Sequence, residues 1–168
     1  MLDNNQIVYL LFIINLIICF YAAWSIGAND VANAFGTSVG SGAITLRNAV
    51  IIAAIFEFAG AFFVGSKVSS TISNGLIDLS ALAGKENLIV LGMLCCLMAT
   101  SIWNHFATTM GLPVSTTHAI IGALVGFGLV AVENPRINMH WDKIGEVALS
   151  WIVSPVAGAI IAIIMYYL

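Results

Sequence analysis

Five apolar blocks set the pattern of this chain: Gln6–Ile26, Asn48–Val64, Leu88–Trp103, Leu112–Val132 and Val147–Leu168. Each is close to the roughly 20 residues that cross a bilayer as a helix. Polar stretches at Ser41–Arg47, Gly65–Asn87, Asn104–Gly111 and Glu133–Glu146 separate the later ones. The pattern predicts an all-α, polytopic membrane protein of about five transmembrane segments, some broken or re-entrant, in one membrane domain over residues 1–168. The 45 residues from Leu88 to Val132 hold no Asp, Glu, Lys or Arg. That is too long for one span, so the chain must turn back there, and Asn104–Gly111 is the polar break available. A helical hairpin, spanning or re-entrant, is the simplest reading, with His105 beside Asn104 at its turn. Gly65–Asn87 carries Lys67, Ser69, Ser70, Thr71, Ser73, Asn74, Asp78 and Lys85, and reads as at most an interfacial or partly inserted piece.

The first block runs straight into a segment that breaks the rules of a lipid-facing helix. Gly27–Gly42 contains Asp30, the amides Asn29 and Asn33, the hydroxyls Thr37, Ser38 and Ser41, and several glycines. A carboxylate at bilayer depth is costly and usually faces a cavity on an ion or substrate path. Irregular backbone is tolerated there only where protein or a water-filled cavity satisfies it. Oxygens of Asp30, Asn29 and Asn33, with freed carbonyls, suit a hard monovalent cation, as in the broken helices of secondary transporters. The plain alternative is a short polar loop between two membrane helices. Glu57, inside the second block, is either a cation or proton ligand or a buried acid held neutral.

Composition narrows the class. Of 168 residues, 61% are hydrophobic and 8% charged, with a mean hydropathy of +1.04, which excludes a soluble domain. The net charge of −3 comes from few groups, and no basic patch invites nucleic acid. Cys19, Cys95 and Cys96 lie in apolar runs and read as small core residues. Gln6–Ile26 lacks the basic n-region of a signal peptide and reads as a retained span. Gly36 with Gly40, and Gly122 with Gly126, have the spacing that lets membrane helices approach closely. An enzyme reading fails for want of a nucleophile–base pair or metal cluster, and no cofactor is implied.

A second polar island follows the predicted turn: Pro113-Val114-Ser115-Thr116-Thr117-His118. Proline favours the first turn of a helix. Ser115, Thr116 and Thr117 would then lie beside free backbone N–H groups, a ready-made site for an oxyanion. No Lys or Arg stands in this segment, so the opposite charge would come from bound cations. The other reading of these hydroxyls is back-bonding within a kinked helix. His118 and His105 could contact an oxyanion, carry a proton or bond a neighbouring helix.

With both islands in view the chain resembles the PiT family of inorganic phosphate transporters. The resemblance rests on Gly27-Ala28-Asn29-Asp30-Val31-Ala32-Asn33-Ala34, Glu57 and Gly60, Pro113–His118, and Ser150-Trp151-Ile152-Val153-Ser154-Pro155, in the order of that family's first half. It implies a phosphate symporter coupled to Na⁺ or H⁺, built from two inverted repeats and dimeric, in the plasma (inner) membrane. It also implies cation ligands at Asn29, Asp30 and Asn33, an acid needed for transport at Glu57, and phosphate contacts at Ser115, Thr116 and Thr117. An odd number of spans, duplicated, comes out inverted, so five segments fit one half of such a machine. No second Gly-Ala-Asn-Asp stretch occurs in these residues. The expected partners are phosphate, the lipid bilayer, a second transporter half and a second copy. Sulfate or a metal–phosphate complex as cargo, and a half that acts only in assembly, stay open as alternatives.

Overall fold

The computed structural model describes residues 3–168, apart from the side chains of residues 4–5, 7–8 and 68–74. Its elements are α1 (Asn4–Gly40), α2 (Leu46–Gly75), a 3₁₀ turn at Leu79–Leu82, α3 (Glu86–Thr109), α4 (Thr116–Ala131), α5 (Pro135–Asn138) and α6 (Trp141–Tyr167). Among the described residues four helical stretches are long and apolar enough to cross a membrane: Tyr9–Gly40, Leu46–Lys67, Glu86–Thr109 and Trp141–Tyr167. The fifth apolar segment forms α4, whose 16 residues span only about 24 Å. It folds back on α3 as the hairpin that the uncharged stretch requires.

The break does not fall where the polar residues of the first island suggest. Helix α1 runs unbroken through Gly27–Gly40 for 37 residues. Its glycines keep their N–H groups, so the helical ladder continues, and Asn33 Nδ2 donates to Asn29 Oδ1 one turn back at 2.9 Å. The irregular backbone lies instead at Met110–Ser115. There Gly111 takes a positive φ of 68° and Pro113 offers no N–H. Asn104 and His105 stand inside α3, before this turn. Pro113 precedes α4, which begins at Thr116 with Ser115 as its N-cap.

The core is small. Leu76, Ile77, Leu82, Cys96, Ile121, Leu124 and Val132 form it between the α3–α4 hairpin and the chain after α2. At that end Ile77 bridges Met139, Asp78 N donates to Asn138 O at 3.0 Å, and His140 N donates to Leu76 O at 3.0 Å. Part of Gly65–Asn87 is therefore core and not merely interfacial; Ser69, Ser70, Thr71, Ser73 and Asn74 fall outside the described side chains. Asp78 caps the 3₁₀ turn, and the Ser80 hydroxyl and backbone N–H hold its carboxyl below the usual carboxylate range. Of the three cysteines, Cys96 alone is buried; Cys19 and Cys95 face outward, as an apolar side chain can where the surroundings are lipid.

Close packing falls on glycines other than the spaced pairs. Among the described residues nothing approaches a Cβ position at Gly36, Gly40, Gly122 or Gly126. A Cβ at Gly92 would meet the Phe127 ring at 2.1 Å, and one at Gly128 would meet Met139 at 3.0 Å. Gly92→Ala is thus expected to push Phe127 aside and cost about 1–3 kcal/mol of hairpin stability. Thermal unfolding in detergent measures it; an unchanged midpoint would show that the ring turns away freely.

Candidate functional site

Helix α1 packs along α3 through Ala22, Ser25 and Asn29 on one side and Thr100, Ser101, Asn104 and Ala107 on the other, all buried. Three of these hydroxyls donate to carbonyls of their own helices: Ser25 to Ala22 O, Thr100 to Cys96 O and Ser101 to Leu97 O. The small hydroxyls are thereby satisfied inside an apolar segment. The seam leads to the unwound turn at Met110–Ser115.

Two amides of α1 hold that turn. Asn29, only 4% exposed, donates through Nδ2 to Thr108 Oγ1 at 3.0 Å and Leu112 O at 3.2 Å. Its Oδ1 accepts from Asn33 Nδ2 at 2.9 Å and Val114 N at 3.3 Å. Both donors and both lone-pair directions of the Asn29 amide are occupied. Asn33 Nδ2 also donates to Val114 O at 3.0 Å. The pair therefore supplies the partners that the turn's backbone loses when it leaves the helix. A cavity of about 260 Å³ lies beside them, lined by Ala28, Asn33, Thr108 and Pro113 among others.

Asp30 stands next to this pair and faces the start of α4. The Thr116 hydroxyl lies 3.3 Å from each carboxylate oxygen, so one proton is shared over two long contacts. The ion pairs Lys85–Glu133 and Lys143–Glu146 do not reach Asp30. Thr116 Oγ1 accepts in turn from Asn104 Nδ2 at 3.2 Å. Asn104 is fully buried. Among the described residues its Oδ1 has no hydrogen-bond partner.

The hydroxyls of the second island have separate settings. Ser115 Oγ accepts from His118 N at 3.3 Å as the cap of α4. Thr116 joins the chain to Asp30, and Thr117 is exposed. The first turn of α4 therefore presents backbone N–H groups with hydroxyls around them, the arrangement that attracts an oxyanion. The His118 ring lies tilted by 40° against Trp151 of α6, with ring centroids 4.3 Å apart. Tyr21 OH and His105 Nδ1 lie 3.0 Å apart across the α1–α3 seam, beside Trp24.

Glu57 belongs to α2, and its charge reaches Asp30. It lines a cavity of about 600 Å³ between α1 and α2, with Ala34, Phe35, Phe56 and Gly60. The structure thus gathers Asn29, Asp30, Asn33, Ser115 and Thr116 at one place. Asn104 joins them from α3. Sequence reasoning missed Asn104 because it set that residue at a loop. The available signal was an amide in a charge-free block, four residues before Thr108 and three after Ser101.

Comparison with known proteins gives this geometry a family. A family model described as the phosphate transporter family matches residues 26–168. An inorganic phosphate transporter, chloroplastic, of Arabidopsis thaliana is 47% identical over 151 residues, covering 90% of this chain and 25% of that protein. A relative in Pyrococcus furiosus that carries a phosphate-permease name is 48% identical over 154 residues, 92% of this chain and 37% of its own length. The solved structure of a sodium-dependent phosphate transporter superposes with a TM-score of 0.82 at 45% identity, covering 93% of this chain and 38% of that one. The chain thus spans between a quarter and two fifths of the length of these relatives. Together with four span-length apolar helices, these matches make the chain an integral, multi-pass membrane protein belonging to the phosphate transporter family.

Proposed function

We propose that this chain forms the first half of a cation-coupled inorganic phosphate symporter of the plasma (inner) membrane. In this reading phosphate is held at the start of α4 by Ser115, Thr116 and Thr117. The Na⁺ or H⁺ that drives uptake is held on the α1 side, with Asp30 as the charged ligand. Asn29 and Asn33 serve the same site by keeping the turn open before α4. The observation that carries the reading is the Asp30–Thr116 contact. It couples the one unpaired carboxylate of the seam to the helix start where an oxyanion would dock, so cation and anion would neutralise each other across a single hydroxyl. A second transporter half and a second copy of the chain complete the assembly in this proposal.

The test is phosphate uptake by the purified full-length protein in proteoliposomes, with a Na⁺ gradient and a pH gradient imposed in turn. Uptake driven by one of them and resisting excess sulfate is expected. Uptake indifferent to both gradients would remove the symporter reading. Glu57 gives a further check. It lines the α1–α2 cavity next to the turn of α1 that follows Asp30. If it takes part in cation binding as an ionised group, Glu57→Gln lowers the uptake rate about tenfold or more at matched expression. A wild-type rate would make it a structural acid.

A further inference from the structure

The orphaned oxygen of Asn104 is the least explained group in the seam. Asn104 is fully buried, between α1 and the start of α4, and among the described residues its Oδ1 meets no donor. The direction of the surrounding hydrogen bonds fixes this orientation. Thr116 donates its hydroxyl proton to the Asp30 carboxyl group. Thr116 Oγ1 must then accept from Asn104, and that requires the amide nitrogen, at 3.2 Å. Turning the amide over would set its oxygen against Thr116 and take the proton from Asp30. The arrangement therefore runs one way, Asn104 to Thr116 to Asp30, and leaves a bare carbonyl oxygen on the same amide. A buried acceptor without a partner is expensive.

A proton and a metal cation would treat that oxygen differently. A proton that lands on Asp30 neutralises the carboxylate and leaves Oδ1 as it was, because an amide oxygen is far too weak a base to be protonated. A small cation beside Asp30 seeks several oxygen ligands at once, and hard ions favour carboxylate and amide carbonyl oxygens. Asn29 cannot offer its oxygen, since both lone-pair directions are occupied by Asn33 Nδ2 and Val114 N. Asn33 makes both of its contacts through Nδ2, and its own oxygen is on an exposed residue. Among the described residues Asn104 Oδ1 is the buried amide oxygen with capacity to spare.

We propose that Asn104, through Oδ1, is a ligand of the coupling cation at Asp30 and makes that site select a sodium-sized ion over a proton. The proposal rests on the symporter reading above and names its ion. Asn104 belongs to neither polar island of the sequence, and its role follows from burial and hydrogen-bond direction alone.

The test uses the full-length protein in proteoliposomes and, separately, in detergent. With Asn104→Ala, the Na⁺ concentration for half-maximal phosphate uptake is expected to rise at least about tenfold. The apparent phosphate constant at saturating Na⁺ should stay within about twofold. Asn104→Asp separates a ligand from a scaffold. It keeps an oxygen but, when ionised, cannot donate to Thr116. A ligand role predicts that Na⁺ activation survives in this variant above neutral pH and weakens as pH falls. A purely structural role predicts that both variants fail alike, and that result would overturn the proposal. So would wild-type uptake driven by a pH gradient with no need for Na⁺, which leaves the symporter reading intact. Thermal stabilisation by NaCl over choline chloride in detergent reads the site without transport. Its loss in Asn104→Ala is expected even if no gradient drives phosphate, and its retention would count against Asn104.

Discussion

Asp30→Asn is expected to abolish cation-driven phosphate uptake by the full-length protein while leaving membrane insertion intact. The substitution keeps the shape of the side chain, and its Oδ1 can still accept from the Thr116 hydroxyl 3.3 Å away. What is lost is the charge. A carboxylate about 4 Å from a monovalent ion contributes roughly 4 kcal/mol at an effective dielectric constant of about 20. That corresponds to roughly a hundred- to a thousandfold in cation affinity. The other acid whose charge reaches Asp30 is Glu57, which lines the α1–α2 cavity. Cation-dependent uptake and cation-dependent thermal stability should fall together. Normal cation dependence of either in Asp30→Asn would take this carboxylate out of the mechanism.

Much of this architecture is legible in the sequence because lipid imposes simple rules. Helices follow from block length alone, and the hairpin follows from 45 uncharged residues that exceed one span. The break is less legible. Gly27–Gly42 looks weaker as a helix than Leu112–Val114, yet α1 is continuous and the chain unwinds before α4. Glycine lowers helix preference without removing a hydrogen bond, whereas Pro113 removes a donor. Asn29 and Asn33 of α1 serve a backbone break on another element, and linear sequence does not reveal which element that is. The same holds for the glycines. Spacing pointed to Gly36, Gly40, Gly122 and Gly126, but closeness depends on where Phe127 and Met139 reach, and those contacts select Gly92 and Gly128.

The division of labour among neighbours in each island has the same origin. Asn29, Asp30 and Asn33 look alike as oxygen donors in the sequence. In the fold Asn29 is saturated by the turn, Asn33 reaches the Val114 carbonyl, and only Asp30 faces Thr116. A helical advance of about 100° per residue puts 29 and 33 on one face and 30 beside it. The amides therefore act on the backbone, and the carboxylate is left toward the helix start. Asn104 enters from a third element, and only the packing of α3 on α1 shows it.

Thr116 is where the cation and anion sides meet, and its loss should be felt on both. Thr116→Ala removes the donor to Asp30 and strands the buried Asn104 Nδ2, which costs about 1–3 kcal/mol for the unpaired group. The expected result is a rise of roughly ten- to a hundredfold in the apparent phosphate constant, with a comparable rise in the half-activating cation concentration. Thr116→Ser keeps the hydroxyl and should restore most of both. Its neighbours should separate the two effects. Among the described residues the Thr117 hydroxyl makes no hydrogen bond and is exposed, so Thr117→Ala should raise the phosphate constant alone. Ser115→Ala removes the cap of α4 as well as an anion contact, so about 1 kcal/mol of stability should go with its effect on phosphate. The measurements are initial uptake rates against phosphate and against cation for each variant of the full-length protein. If all three alanine variants take phosphate as the parent does, the hydroxyls serve only to start a helix after a turn, and the oxyanion docks elsewhere.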